Sequence, residues 1–599
     1  MGVAGLLRTV IEKYPNVISP APNPKIPVHY LYLDFNSFIY NAVHAFPSNI
    51  VYNFSDEEQT KKYEEKLVEI VIEETIRLVN KVVKPSKLVY IAIDGPPPLA
   101  KMMHQRERRY KKPMIDRILK EKDPSLVIEG QNYDTNRITP GTYMMNLLNK
   151  EFEKAIADKK FKNVAVVFDG SNIPGEAEHK YNTIIDELLD DPKENHVIFS
   201  ADGDVIFLSL KYPKKNIYIM QGVANSHALS KFYKKTQEFA YLDVKKLGDS
   251  YYNLYGLQQF AGKNKTNQEK NLLKILLKNS ECQLNNKSND KLGKVQFLID
   301  FVVLSFIEGN DFVKPIYFIK FNQDRMRTPL GIYKFQRKIR NDSNFRLINN
   351  DFSINQTFLH AIFKRLGQIE NERFTEIKNN IEKKISFTPR KNANNSFEDK
   401  PFTNQDHLLH SEYVKQYTEL FGDMSNFKKN YYKYFFGENY DVDSLCENYL
   451  KIILFNVNYY FGLGTSWNTA FPWSVAPLPS DLANYLETNP GFFQNLKLEE
   501  GSPVTPFVLL AFVLPPQSMT KGTIPEKYRD KLLKEYPEYF PEKYDLQLMQ
   551  PGGKLIYAEP HLENPNIDIL ESALKKIKLT KEQKERNELK KNPSIFITK

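Results

Sequence analysis

Two glutamates two residues apart, Glu176 and Glu178 in Ile173-Pro-Gly-Glu-Ala-Glu178, come shortly after the apolar run Val164-Ala-Val-Val-Phe168. A loop leaving the end of a buried strand can aim both carboxylates into one space. Carboxylates crowded together repel, and the arrangement is costly unless a cation lies between them. Further acids recur in the same local context. These are Asp34 in Tyr32-Leu-Asp-Phe-Asn36, Asp94 in Ile93-Asp-Gly95, Asp202 and Asp204 in Ser200-Ala-Asp-Gly-Asp204, and Asp311 in Gly309-Asn-Asp311. Together they are expected to form one acidic, metal-binding centre.

A second set of residues is basic. Lys101, Gln105, Arg108 and Lys112 recur at helical spacing and share a face, with Arg109 beside it. Taken alone, such a stripe reads as a solvated basic face.

The elements that must position these groups are legible in the pattern. Val28–Asp34, Leu88–Asp94, Val164–Phe168, Val197–Ser200 and Ile217–Met220 read as buried strands. Helices are expected from about Ser55, where Ser55 and Glu58 have capping-box spacing, from Lys101 to Lys112, from Thr139-Pro-Gly-Thr142 through Phe152, and after Glu178 to Leu189. Strand and helix in alternation predict an α/β fold, a mainly parallel sheet covered on both faces. Ligands of such sheets bind beyond the carboxyl ends of the strands, where Asp34, Asp94 and Asp202 all fall. One Asp at a strand end is ordinarily a cap or turn residue; the same habit at several strands points to a shared site. Phe297–Phe306 reads as an apolar helix that delivers Asp311.

With 599 residues the chain is too long for one core. The expected division is 1–335, an N-terminal α/β domain; 336–426, an Asn/Lys-rich linking segment with weak helical patches; 427–574, a second unit rich in Tyr, Phe and Pro; and 575–599, a charged, solvated helical tail. Within the first, 262–293 reads as an inserted loop. Composition is globular, 41% hydrophobic and 26% charged, and no apolar run is long enough to cross a bilayer. An intracellular protein, cytoplasmic before nuclear, and a monomer, is expected. Cys282 and Cys446 are too few for a disulfide framework or an all-cysteine zinc site. The net charge of +10 suits a polyanionic substrate, although Lys-rich and Asn-rich codon bias would produce it equally well.

These segments resemble the 5′→3′ exoribonucleases of the Xrn type, within the wider flap-endonuclease-like 5′ nucleases. The resemblance is carried by Met1-Gly-Val3, Glu12-Lys-Tyr-Pro15, Leu33-Asp-Phe-Asn36, Asp94-Gly95, Ala100-Lys-Met102, Gln105-Arg-Glu-Arg-Arg109, Ile138-Thr-Pro-Gly-Thr142, Pro174-Gly-Glu-Ala-Glu-His-Lys180, Ser200–Asp204 and Gly309-Asn-Asp-Phe312. A second region of similarity runs through Lys429-Asn-Tyr-Tyr432, Tyr459-Tyr-Phe461, Ser466-Trp467, Ala476-Pro477, Ser480-Asp-Leu482 and Val513-Leu-Pro-Pro516.

The resemblance implies a Rossmann-like, PIN-type nuclease fold and a mostly helical second region that walls the active site. It implies that Asp34, Asp94, Glu176, Glu178, Asp202, Asp204 and Asp311 hold two Mg²⁺ ions, for which Mn²⁺ can substitute, with Asn36 in support. Hard cations want oxygen ligands, and two of them on the order of 4 Å apart can activate the attacking water and stabilise the leaving oxygen. Lys101, Gln105, Arg108 and Arg109 are implied to bind a terminal 5′-phosphate, and Tyr40 and Trp467 to stack on bases. The expected activity is processive, metal-dependent degradation of 5′-monophosphorylated single-stranded, decapped RNA to mononucleotides. Protein partners such as decapping factors are not specified. The alternatives are a flap-type DNA 5′ nuclease and a catalytically inactive RNA-binding scaffold. The sequence departs from the family pattern at Asn468–Val475 and at Phe312-Val-Lys-Pro-Ile316. It lacks zinc-knuckle cysteines and long C-terminal extensions, which suggests a minimal core from an AT-rich genome such as that of a large DNA virus.

Overall fold

A computed structural model describes residues 6–47, 52–122, 132–224, 226, 229–230, 233, 237–255, 289–319, 329–333, 346–385, 409–551 and 557–597. Its organising element is a sheet of eight strands. In chain order these are β1 (Ile18–Ala21), β2 (Tyr30–Asp34), β3 (Leu88–Ala92), β4 (Ala165–Asp169), β5 (Asn195–Phe199), β6 (Asn216–Gly222) and β7 (Phe239–Asp243), then β10 (Ser594–Phe596). Between β7 and β10 a separate two-stranded ribbon is made by β8 (Leu546–Gln547) and β9 (Glu559–Pro560). The order across the large sheet is β1-β7-β6-β5-β2-β3-β4-β10. The five central strands, β6 to β4, are parallel, and β7, β1 and β10 are antiparallel additions at the two edges.

The central strands are apolar on both faces, as a doubly covered sheet requires. Tyr32, Tyr90, Val167 and Ile198 point into one core, with Tyr181, Ile185 and the apolar helix Asn289–Ile307. Leu33, Ile91, Phe168 and Phe199 alternate into the other, with helices Glu57–Arg77 and Tyr143–Ala157. Asp34 lies opposite Ala92, and Ala92 opposite Asp169, so the carboxyl ends of β2, β3 and β4 are level.

Four expectations are corrected. The helix expected from Ser55 is capped by Asp56, whose side chain accepts from the backbone N–H groups of Glu58 and Gln59. The linking segment carries a continuous helix, Gln356–Ile385, whose Phe358, Leu359, Ile362, Phe363 and Leu366 are buried. Gly367 lets this helix approach helix Pro479–Thr488 closely, since a Cβ there would lie 2.9 Å from the Ser480 Cα. Nor is the tail a solvated helix. Arg586, on the short helix Lys581–Arg586, is buried and donates to the carbonyls of Gly141, Gly522 and Thr523. Ser594–Phe596 then extends the eight-stranded sheet beside β4. Finally, β1 and β7 are strands that the pattern does not reveal. The insertion expected at 262–293 lies mostly outside the described residues, as does Met1-Gly-Val3. Among the described residues no helix is long and apolar enough to cross a membrane.

Candidate metal centre and nucleic-acid site

Asp34 is the last residue of β2 and the N-cap of helix Phe35–His44, yet its side chain makes no capping bond. It accepts instead from Ser200 Oγ at 2.6 Å, at the end of β5. Glu176, N-cap of helix Ala177–Glu187, likewise caps nothing with its side chain. The backbone N–H of Ala177 goes to Asp94 Oδ1 at 2.9 Å, and the other Asp94 oxygen accepts from Asn36 Nδ2 at 2.8 Å. Asp202 receives the backbone N–H of Asp204 at 3.1 Å. The acids at the strand ends thus turn toward one another. The positive ends of these short helices also favour negative charge there.

Two backbone bonds lock the loops together. Gly95 N–H donates to the Gly175 carbonyl at 2.9 Å, and Gly175 N–H to the Pro96 carbonyl at 3.0 Å. Gly175 has φ +108°, and a Cβ on Gly95 would fall 1.6 Å from the Ile173 carbonyl oxygen. Glycine is required at both places. Asp311 enters from the end of helix Asn289–Ile307, in a turn where Asn310 Oδ1 accepts from the N–H groups of Phe312 and Val313.

The buried acids act on one another's ionisation. Burial, Asp94 and Asp202 push the Asp34 carboxyl up to about 7 against the Ser200 hydrogen bond. Burial, Asp202 and Asp311 hold Asp204 well above the carboxylate range, and burial with Glu176, Asp94 and Asp34 does the same to Glu178. Asp311 goes the other way. Burial opposes its ionisation, but the Lys101 ammonium at 2.7 Å and His104 outweigh burial and hold it well below the ordinary range. Lys101 bridges Asp311 and Glu176.

This donor set fits hard divalent cations. All seven expected ligands offer oxygen, Asp204 Oδ1 is shielded from solvent without a hydrogen-bond partner, and most of the acids resist ionising together. Glu176, Glu178 and His179 each offer a ligand atom within 4.8 Å of the others. Asp169, also at a strand end, is different. Lys180 pairs with it at 2.8 Å and Tyr90 donates to it at 2.8 Å, so it is a neutralised structural acid.

The basic helix spans Leu99–Lys122. Of the residues expected to bind phosphate, Lys101 lies in the acidic centre. Gln105 Oε1 and Arg109 Nη1 are shielded without partners, and Arg108 is exposed. Burial pushes the Arg109 guanidinium down to about 10, despite the favourable field of Tyr40. Arg106, between them, is fully buried and donates to the carbonyls of Phe512, Tyr539 and Glu563, which fastens the helix to the second region. Tyr40 packs against the core, and Trp467 is half-buried with its carbonyl accepting from Leu99 N–H at 2.9 Å.

Two further residues reach the centre without having been expected there. Tyr459, on helix Val442–Phe461, donates to Glu176 Oε1 at 3.2 Å. The ring of His179 stacks on it, with centroids 3.7 Å apart. Both stand inside the motifs that carry the resemblance, but their type alone does not distinguish an active-site aromatic from a core one.

Comparison with known proteins agrees with this layout. The model of the XRN 5′–3′ exonuclease N-terminus matches residues 1–222, and that of the Xrn1 helical domain matches residues 423–599. Human 5′–3′ exoribonuclease 1 is 24% identical, over 98% of this chain and 35% of its own length. The fission-yeast (Schizosaccharomyces pombe) 5′–3′ exoribonuclease 1 is 24% identical, over all of this chain and 50% of its own. The 5′–3′ exoribonuclease 2 homologue of Drosophila melanogaster is 31% identical over 37% of this chain and 28% of its own length. The chain spans half or less of the length of these curated relatives.

Proposed function

Because the chain belongs to the XRN 5′–3′ exonuclease family, we propose that it is a processive, metal-dependent 5′→3′ exoribonuclease that takes 5′-monophosphorylated single-stranded RNA and releases mononucleotides. The observation that carries this reading is the convergence of acids from five chain segments at the carboxyl edge of the parallel strands, beside a helix on which the shielded Arg109 Nη1 donor has no hydrogen-bond partner.

Asp34, Asp94, Glu176, Glu178, Asp202, Asp204 and Asp311 would hold two Mg²⁺ ions, with Mn²⁺ able to replace them and Asn36 orienting Asp94. When bound, the cations supply activation of the attacking water and stabilisation of the charge that develops on the scissile phosphate. Lys101 adds an ammonium to that anionic region. Gln105, Arg108 and Arg109 receive the terminal phosphate through N–H donors, which pair well with its oxygens. Tyr40 and Trp467 take the first bases by stacking, a sequence-tolerant contact. Helix Val442–Phe461 places Tyr459 on Glu176, so the second region supplies part of the centre's wall. Such a wall admits a single strand and excludes a duplex.

The test is substrate competition in Mg²⁺. One sequence is offered as 5′-phosphorylated single-stranded RNA, as the equivalent DNA, and as a DNA flap. Preferred loss of the RNA is expected, and cleavage at the flap junction with the RNA left intact would refute the reading.

A further inference from the structure

The basic helix is held from two sides and presents a third to the candidate active site. Met102, Arg106 and Tyr110 face the second region, where Tyr110 donates to the Leu514 carbonyl at 3.2 Å. Gln105 and Arg108, with Arg109 beside them, form the stripe assigned to phosphate, and Lys101 on the same face reaches the acidic centre. Between these faces runs a third stripe, His104, Glu107 and Lys111, at three- and four-residue spacing.

This third stripe is tied to two other parts of the molecule. The Glu107 carboxylate meets the Lys314 ammonium at 2.6 Å, with both side chains mostly buried. Lys314 lies three residues beyond Asp311, and its carbonyl accepts from the Tyr449 hydroxyl at 2.8 Å. Lys111 meets Glu559, on β9 of the second region, at 3.4 Å. His104 Nδ1 lies 3.6 Å from Asp311 Oδ2. The helix, the Asp311 turn and the second region therefore share one line of alternating charge. Lys314 stands inside Phe312-Val-Lys-Pro-Ile316, where the sequence leaves the family pattern.

We infer that the Glu107–Lys314 pair, braced by Lys111 and Glu559, fixes the rotation of the basic helix about its axis and so sets the position of the phosphate stripe relative to Asp311. Glu107 and Lys314 are positioning residues for selection of the RNA 5′ end. The inference rests on the phosphate-pocket reading above. Its physical basis is leverage: turning a helix by about 10° moves side-chain tips by roughly 1 Å. A misplacement of that size can cost on the order of 100-fold in rate. A paired, desolvated charge resists such turning, because separating it strands a buried ion.

The experiment measures kcat/KM on 5′-monophosphate and on 5′-hydroxyl RNA, together with thermal unfolding, for the full chain and four variants. Glu107→Gln/Lys314→Met removes both charges and strands neither. Glu107→Asp keeps both charges but shortens the reach by one methylene. Lys314→Met leaves Glu107 without its partner, and Lys314→Arg preserves the pair. The monophosphate preference is expected to fall at least ~10-fold in the double variant and in Glu107→Asp, whatever the change in melting temperature, and to persist in Lys314→Arg. Lys314→Met is expected to lose preference and stability together. A double variant or Glu107→Asp that keeps the full preference would overturn the inference. An unsubstituted chain with no monophosphate preference would overturn the phosphate-pocket reading itself, a result distinguishable from the first.

Discussion

The Tyr459 hydroxyl donates to Glu176 Oε1 at 3.2 Å, across nearly three hundred residues of sequence, while the Tyr459 ring stacks on His179. The second region thus touches a candidate metal ligand directly. Tyr459→Phe keeps the stack and removes only the hydrogen bond. A bond to a charged group is worth about 1.5 kcal/mol or more, so kcat should fall roughly tenfold with little change in melting temperature. Steady-state kinetics on single-stranded RNA would check this, and an unchanged kcat would show that the bond is idle in turnover.

The acidic centre makes metal-free stability depend on pH in an unusual direction. Burial and neighbouring acids raise the Asp34 carboxyl to about 7 in the folded chain from an ordinary value of 3.8. Between those values the folded state binds the proton and the unfolded state does not. Stability should therefore fall as pH rises from about 4 to 7, by up to roughly 1.4 kcal/mol per unit for each such group. Asp204 and Glu178 are shifted in the same direction. Asp311 is depressed, so its contribution is lost only below about pH 4, outside this window. Thermal melts in EDTA across this range should show the decline, and Mg²⁺ should reverse it. A flat or rising profile in EDTA would contradict the shared burial of these acids.

Asp204→Asn follows from the same imbalance. It removes a carboxylate that burial, Asp202 and Asp311 all disfavour. The metal-free protein should gain about 1 kcal/mol or more at pH 7 and lose RNA hydrolysis by a factor on the order of 10³. Loss of both stability and activity would mean that Asp204 serves the fold.

Arg106 and Arg108 are two residues apart and should behave oppositely. Arg106→Ala leaves the carbonyls of Phe512, Tyr539 and Glu563 without their donor and should cost roughly 3 kcal/mol in urea unfolding. Exposed Arg108→Ala should leave stability within about 0.5 kcal/mol and reduce the preference for 5′-phosphate over 5′-hydroxyl RNA. An unchanged preference would place the phosphate pocket elsewhere.

Much of this arrangement is legible in the chain because strands buried on both faces announce themselves as short apolar runs, and four of the five parallel ones lead into an acid, Asp34 and Asp169 at the ends of β2 and β4 and Asp94 and Asp202 just beyond β3 and β5. Where the sequence misleads, local pattern is weak or partners are distant. Strand-end position alone does not separate Asp34 from Asp169; the distinction is made by Lys180 and Tyr90, which reach Asp169 from other elements. The Ser55 cap fails because Asp56, one residue on, offers a carboxylate to the same N–H groups. Strand Ser594–Phe596 has three residues and meets β4 more than four hundred positions away. The apolar face of helix Gln356–Ile385 is diluted by the Asn and Lys around it. The motif alone assigns Lys101 to phosphate, whereas the fold sets its ammonium between Glu176 and Asp311.

The most direct test of the central claim uses single-stranded RNA labelled at its 3′ end and carrying a 5′-monophosphate, a 5′-hydroxyl or a cap, incubated in Mg²⁺ and in EDTA. Loss of the monophosphate RNA alone is expected, only in Mg²⁺ and without a ladder of intermediates. Persistence of all three RNAs in Mg²⁺, with binding retained, would contradict it and leave an RNA-binding protein with an unused acidic centre.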